Sequence, residues 1–488
     1  MGAGADGGLA AVPRLMSYDL VIVGMGSGGL TAAEFAAGLG LRVAAVERTR
    51  LGGDCLWTGC VPSKAVLASA KVAHTMRTAH RVGITSAEPN IDLAAVWRRA
   101  RAVQAAIAGT DDNPQRYREM GVDLFFGQAR LVGANEVSVD LSDGQSVVLE
   151  TRFVLLCTGS RPHIPPIEGL STEWCLTSEN LFRLEAPPAS LAIIGGGPMG
   201  AEMAQAMQRL GVPVTLLQRS HTLLPHLEPS LVARLTEVLA LEGVVVHTDA
   251  DVRRVQHQPH GGAVLEAIVG HDGERVRISA AGVLVAAGRT PNTHGLGLEE
   301  AGIVVAERGV QVDERGRTAV RTVYAVGDLA GRRLLTNAAG YEAVRAVRDM
   351  FFPGKGNLNA VVPSCVFCDP ELASVGLTVE QAEAAYGADT DTWRIDLTHN
   401  DRARTDAHEE GGIIVVTVKG RIVGAHVLAP AAGEMIHELS LAIQRDLRLD
   451  EIAECVHVYP TLSGAIGQLA AESAYERALR LRWLMKRR

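Results

Sequence analysis

The sequence predicts an α/β fold that contains two copies of one βαβ unit and ends in an α+β domain. Three observations carry that reading. First, "YDLVIVGMGSGGLTAAEFAAGLGLRVAAVE" (18–47) passes from a β-branched apolar run through a glycine turn into an Ala-rich helix, then into a second apolar run ending at Glu47. Second, "SLAIIGGGPMGAEMAQAMQRLGVPVTLLQR" (190–219) repeats it, with Gln218 placed 23 residues past Gly195 as Glu47 is 23 past Gly24. Third, from about residue 356 the pattern changes to alternating strands, "GGIIVVTVKGRIVGAHVLAP", followed by a helical period from "GEMIHELSLAIQRD".

In each βαβ unit three glycines have separate tasks: a tight turn, close backbone approach to a pyrophosphate, and close packing of helix on strand. They are Gly24, Gly26 and Gly29 in the first copy and Gly195, Gly197 and Gly200 in the second. Glu47 is placed to accept hydrogen bonds from a ribose. Two Rossmann-like dinucleotide-binding domains are therefore expected. The second copy replaces the acid with Gln218 and follows it with Arg219. A carboxylate there would repel a 2′-phosphate, whereas an arginine binds one, so NADPH is expected over NADH.

The echo continues downstream. "VSVDLSDGQSVVLETRFVLLCTGSRP" and "LEAIVGHDGERVRISAAGVLVAAGRTPN" each read as a strand, a DG turn, a strand, and an apolar run ending at Gly159 or Gly288. Each is expected to be a small meander returning to its parent sheet. "TVYAVGDLAG" is a buried strand that ends in Gly327 and Asp328, a glycine for close approach and a carboxylate for a sugar hydroxyl. The basic amphipathic ending "YERALRLRWLMKRR" reads as a final helix, solvated or packed.

At 488 residues with 47% hydrophobic residues, the chain has material for three or four domains. A formal net charge of −8 gives no basic field, which argues against nucleic acid and for a small-molecule substrate. No apolar stretch has membrane-spanning length, and "MGAGADGGLAAVPRL" lacks the basic start and long apolar run of a secretory signal. The expectation is a soluble, cytoplasmic protein with no membrane partner and a disordered leader over 1–16, Met16 being the alternative start. Seven cysteines in a reducing compartment argue against a static disulfide framework. The close pair Cys55 and Cys60 in "LGGDCLWTGCVPSKA" then reads as catalytic or metal-binding.

The ordered set "GMGSGG", "GGDCLWTGCVPSKA", "CTGSRP", "GGGPMGAE", "AAGRTPN", "VYAVGDLAG" and "CDPELASVGLT" resembles the flavoprotein pyridine nucleotide-disulfide oxidoreductases, from about Tyr18 to about Leu469. The resemblance implies FAD on the first βαβ unit, a nicotinamide dinucleotide on the second, and a homodimer built by a C-terminal α+β dimerisation domain. It also implies a redox-active Cys55–Cys60 pair, with Cys60 the flavin-proximal, charge-transfer thiol and Cys55 the interchange thiol. Lys64 would lie by the flavin and pair with Glu202, and Gly53 would join the cofactor-binding glycines. Expected boundaries are 17–155 and 283–355 for the FAD domain, 156–282 for the NAD(P) domain and 356–488 for dimerisation.

Physical chemistry supports the thiol roles. Pro62 suits a first helical position, so Cys60 lies by a helix N-terminus that favours a thiolate. Gly52, Gly53 and Gly59 let the intervening loop bend until the sulfurs meet. A metal reading needs two more ligands nearby, so no metal site is expected. Cys365 and Cys368 read as packed thiols, and Cys157, Cys175 and Cys455 as isolated core or surface residues.

One motif departs from the family. Disulfide-reducing members carry His-Pro-Thr near the C-terminus and a glutamate a few residues on, and the partner subunit's histidine protonates the leaving thiol. Here "HVYPTLSG" puts Tyr459 at the histidine and Gly464 at the glutamate, with His457 two residues away as a substitute acid. A tyrosine there is similar to the mercuric reductase branch, yet that branch's C-terminal cysteine pair and N-terminal metal-binding domain are missing. Three readings follow: electron transfer to a small acceptor such as a metal ion, quinone or reactive halogen species; dihydrolipoamide dehydrogenation; or a flavin-bound redox sensor.

Overall fold

The computed structural model describes residues 14–259, 261–354, 358, 361–480 and 482. These form two compact units, Met1–Val61 with Ala102–Arg161 and Arg289–Asn359, and Pro62–Arg101 with Pro162–Gly288 and Ala360–Arg488.

The first unit is organised by one sheet. Its parallel core runs in the order Val122–Gly133, Val43–Glu47, Arg14–Val23, Ser146–Leu156 and Val323–Ala325. The near-continuous apolar strands follow from burial on both faces, Leu20, Val21, Ile22 and Leu155 all being 0% exposed. Strand Glu136–Leu141 pairs antiparallel with both long strands and completes the expected meander. The second meander strand and the apolar run after it are one strand, Ser146–Leu156, in this copy. In the other copy they are separate, Glu274–Ala280 and Gly282–Val285. The first strand begins at Arg14, inside the stretch expected to be a leader, while residues 1–13 lie outside the described residues.

The second unit holds a four-stranded parallel sheet in the order Gly282–Val285, Leu191–Ile194, Val214–Leu217, Val245–His247. It also holds an antiparallel meander over 251–280 and a five-stranded antiparallel sheet over 364–429. Helices Ala432–Gln444 and Gly464–Arg480 supply Met435, Ile436, Leu439, Ile466 and Leu469 to that last sheet's core. The final helix thus packs one face; of the basic residues beyond it only Arg482 is described.

The units divide the chain at 161/162, 288/289 and 359/360, where the expected domains divide at 155/156, 282/283 and 355/356. Strand Gly282–Val285 pairs with Leu191–Ile194, so the chain returns to the first unit at Arg289 instead of residue 283. Residues 62–101, expected in the first domain, cluster with the second unit, where the buried Trp97 donates its indole N–H to the Leu181 carbonyl at 3.0 Å. No helix among the described residues is long and apolar enough to cross a membrane.

Candidate active site

The two glycine turns are the same device built twice. Gly24 has φ +95°, and a Cβ there would lie 2.6 Å from the Cys157 carbonyl oxygen; Gly195 has φ +112° and meets Ala286 in the same way. A Cβ on Gly29 would overlap the Gly24 carbonyl oxygen, as one on Gly200 would overlap that of Gly195, so each helix can approach its strand only through glycine. Helices Ser27–Gly38 and Pro198–Arg209 begin after Gly26 and Gly197, with no side-chain cap and no acid in the first turn. Their first N–H groups are left for an anion. Met25 N–H donates to Glu47 Oε2 at 2.9 Å, and Gly196 N–H donates to Gln218 Oε1 at 2.8 Å, tying each turn to the end of its second strand. Arg219 beside Gln218 is exposed.

Cys55 and Cys60 lie on successive helices of the first unit. A short helix, Gly53–Trp57, carries Cys55, and the helix Cys60–Thr78 opens on Cys60 itself, with Pro62 in its first turn. The expected flexible loop is therefore a short helix plus a break at Thr58 and Gly59. Gln104 holds the short helix by donating to the Leu56 and Trp57 carbonyls at 2.9 and 2.8 Å. A Cβ on Gly53 would lie 2.6 Å from Gly26 Cα, so the cysteine segment rests directly on the first glycine turn. Both cysteines are thiols here. A hydrogen bond to Cys60, then burial, push the Cys55 thiol up. Cys60 Sγ lies 3.4 Å from Thr336 Oγ1. A cleft of about 490 Å³ opens beside Cys55, lined by Ser27, Thr31, Leu56, Thr336 and Asn337.

Asp328 sits in a polar cluster of which the sequence reading named one member. Ser160 Oγ donates to Asp328, Arg289 Nε donates to Ser160 Oγ at 2.6 Å and lies 3.3 Å from Asp328, and Arg289 pairs with Asp54. Burial raises the Asp54 carboxyl, an effect that Arg289 opposes. Below it, the Gly327 N–H donates to Glu342 Oε2 at 2.9 Å, with Glu342 1% exposed. Arg289, Ser160 and Asp54 each lie in a quoted motif, which was the available signal; Glu342 had none. Gly159 and Gly288 both have positive φ, 64° and 114°, and face open space.

In the second unit Lys64 Nζ pairs with Glu202 Oε2 at 2.8 Å, as expected. Glu202, 3% exposed, also accepts the Phe367 N–H at 3.0 Å, and Lys64 lies 4.4 Å from the Phe367 ring centroid. Burial raises both Cys365 and Cys368, which keeps them as unreactive thiols. The Tyr459 hydroxyl is exposed and donates to Asp401 at 3.1 Å. That hydrogen bond and the Asp401 charge push the phenol above its ordinary value. His457 Nε2 lies 3.0 Å from Glu438, and Gly464 begins the final helix. A cavity of about 500 Å³ near Arg209 is lined by Asp369 and Pro370 of "CDPELASVGLT", and its Arg77, Arg81 and Arg209 are each ion-paired.

Residues 18–343 match the pyridine nucleotide-disulphide oxidoreductase family model, and residues 362–470 match the dimerisation domain of the same family. The chain is 32% identical over 465 residues to dihydrolipoyl dehydrogenase of Bacillus subtilis (strain 168), covering 93% of this chain and 97% of the relative. It is 34% identical over 470 residues to mercuric reductase of Streptomyces lividans, covering 93% and 96%. Among solved structures it resembles LpdA from Mycobacterium tuberculosis (TM-score 0.84, 29% identity, 94% and 99% coverage). It also resembles the Cu(II) complex of the HOCl-induced flavoprotein disulfide reductase RclA from Escherichia coli (TM-score 0.82, 26% identity, 94% and 100% coverage).

Proposed function

The chain belongs to the pyridine nucleotide-disulphide oxidoreductases, which bind FAD and use NAD(P)H, and from that premise we propose that it passes electrons from NADPH to a small electrophilic acceptor such as a metal ion, quinone or reactive halogen species. The observation that carries this reading is Tyr459, a phenol tied to Asp401 and moved away from neutrality, at the place where dithiol chemistry needs an acid titrating near pH 7. A small electrophile taken by a thiolate needs no such proton donor.

The residues fit FAD. The uncapped start of helix Ser27–Gly38 accepts a pyrophosphate, the anchored Glu47 a ribose, and the Asp328 cluster the hydroxyls of the linking chain. When bound, FAD supplies the two-electron relay between nicotinamide and disulfide. The chain's own residues divide the rest. Cys60 is the thiol nearer the cofactor, held at a helix start, and Cys55 is the one that meets the acceptor. Lys64 brings positive charge, and Glu202 fixes its ammonium so that the charge is neither mobile nor uncompensated. The second glycine turn with Gln218 and Arg219 receives the nicotinamide dinucleotide, Arg219 taking the 2′-phosphate.

We infer a homodimer from the matched dimerisation domain, with the exposed row Val456 (95%), Val458 (76%) and Tyr459 (79%) as a face suited to burial. The alternative, dihydrolipoyl dehydrogenase, is favoured by the similarity to enzymes of that name. An acceptor panel under NADPH decides between them. Turnover with Hg(II), Cu(II), quinones or hypochlorite-derived species, and little with lipoamide or glutathione disulfide, supports the proposal. Lipoamide as the best acceptor overturns it.

A further inference from the structure

We propose that Glu438, Cys455 and His457 form a binding site for a divalent cation of the zinc class, with one coordination position open. A carboxylate, a thiolate and an imidazole are the donor set such an ion prefers, and the three donor atoms all lie within 4.8 Å of one another. They come from a rigid helix, Ala432–Gln444, and from the segment after the short helix Leu449–Ile452.

The histidine ring supplies the second argument. His457 Nδ1 lies 3.1 Å from the Cys455 carbonyl oxygen, which only accepts, so Nδ1 carries a hydrogen. Nε2 then faces the Glu438 carboxylate at 3.0 and 3.3 Å. Two acceptors face each other there, and a cation must lie between them, either a proton or a metal ion. A backbone carbonyl fixing Nδ1–H is also the outer contact that orients a metal-binding histidine. The ring lies close against Gly467, where a Cβ would come within 2.7 Å of Nδ1, so a larger residue there would displace the imidazole. Cys455 is exposed and in no disulfide. Zinc at about 2.0–2.1 Å from nitrogen and about 2.3 Å from sulfur places tetrahedral donors roughly 3.3–3.6 Å apart, so binding draws the three donors in from their present spacing of up to 4.8 Å. Three protein ligands leave a fourth position for water or an exchanging thiol, the arrangement of an exchangeable site rather than a closed structural one.

The site is distinct from the redox pair, and the test keeps it so. Untagged holoenzyme, oxidised so that Cys55 and Cys60 form their disulfide, is equilibrated with zinc chloride, and bound metal is measured after dialysis. One zinc per chain is expected, and Cys455→Ser and His457→Ala should each weaken binding about tenfold or more. Iodoacetamide mapping of the unmodified protein gives an independent readout that needs no variant: zinc should slow alkylation of Cys455 about tenfold or more. No retained zinc, zinc retained equally by Cys455→Ser, or Cys455 alkylated at one rate with and without zinc overturns the proposal and leaves a proton alone between His457 and Glu438.

Discussion

At the scale of single residues, the two thiols are distinguished by their surroundings. Cys55 is half-buried beside the cleft, its thiol pushed up by a hydrogen bond to Cys60 and by burial, while Cys60 opens a helix. Cys55→Ser should therefore leave Cys60 as a thiolate and show a long-wavelength thiolate-to-flavin absorbance band before any reduction. Cys60→Ser should lack it, and the same band in both variants would reverse the roles. The donor preference rests on Gln218 and Arg219. Gln218 is occupied by the Gly196 N–H, which leaves the exposed Arg219 as the group for a 2′-phosphate. Arg219→Ala should lower kcat/KM for NADPH about tenfold and leave that for NADH nearly unchanged, a loss of about 1.4 kcal/mol at the donor site. A strong NADH preference in the unmodified enzyme would contradict this assignment. Both pairs of residues were legible in the sequence because their motifs are local. His457 was named from its motif, but its pairing was not legible: Glu438 is on a helix 19 residues away, and no spacing rule joins them. The Arg289–Asp54 pair spans 235 residues and was equally hidden.

At the scale of elements, the glycine turns make a sharp comparison. Gly29→Ala puts a methyl group into the Gly24 carbonyl oxygen, and helix Ser27–Gly38 must move off its strand. The expected cost is about 1–3 kcal/mol of overpacking strain together with lost FAD retention on desalting. Gly38→Ala, with nothing near its Cβ, should be neutral or slightly stabilising and keep its flavin. Equal flavin loss in both would show that the close approach at Gly29 does not matter. A second test lies on helix Pro198–Arg209. Arg209, 5% exposed, bonds Glu242 through Nε at 2.7 Å and Asp369 through Nη1 at 2.8 Å. Burial pushes the Asp369 carboxyl up, but Arg209 and Lys71 more than offset it and leave it below the ordinary value. Its contribution is therefore fully present above the unfolded value of about 3.9 and is lost as pH falls through the lowered folded one. Arg209→Met should cost about 1.5–3 kcal/mol at pH 7 by removing the partner of Glu242 and leaving Asp369 with Lys71 alone. The Tm gap to the unmodified protein should narrow below about pH 4; a gap that is constant with pH would reject the ion pair as its source. The element order along the chain was legible from periodicity and glycine turns, whereas the membership of residues 62–101 was not. That membership is decided by Trp97 packing against Leu181 and Phe182, residues more than eighty positions on.

At the scale of the whole molecule, two half-reactions separate. In the proposed function, reducing equivalents enter through the two glycine turns, the Lys64–Glu202 pair and the two cysteines. Delivering them to a disulfide or dithiol needs an acid near neutrality. Tyr459, in the histidine's place, is moved the wrong way by Asp401, and His457, paired with Glu438, is the acid that the alternative reading requires. General acid help of this kind is worth about a hundredfold to ten-thousandfold. Stopped-flow reduction of the enzyme by NADPH, measured beside steady-state lipoamide turnover on the same preparation, tests the central claim most directly. The account predicts fast reduction and lipoamide turnover slower by about a hundredfold or more. Lipoamide turnover as fast as reduction, undiminished in Tyr459→Phe and abolished in His457→Ala, would contradict it and make His457 the acid of a dihydrolipoyl dehydrogenase.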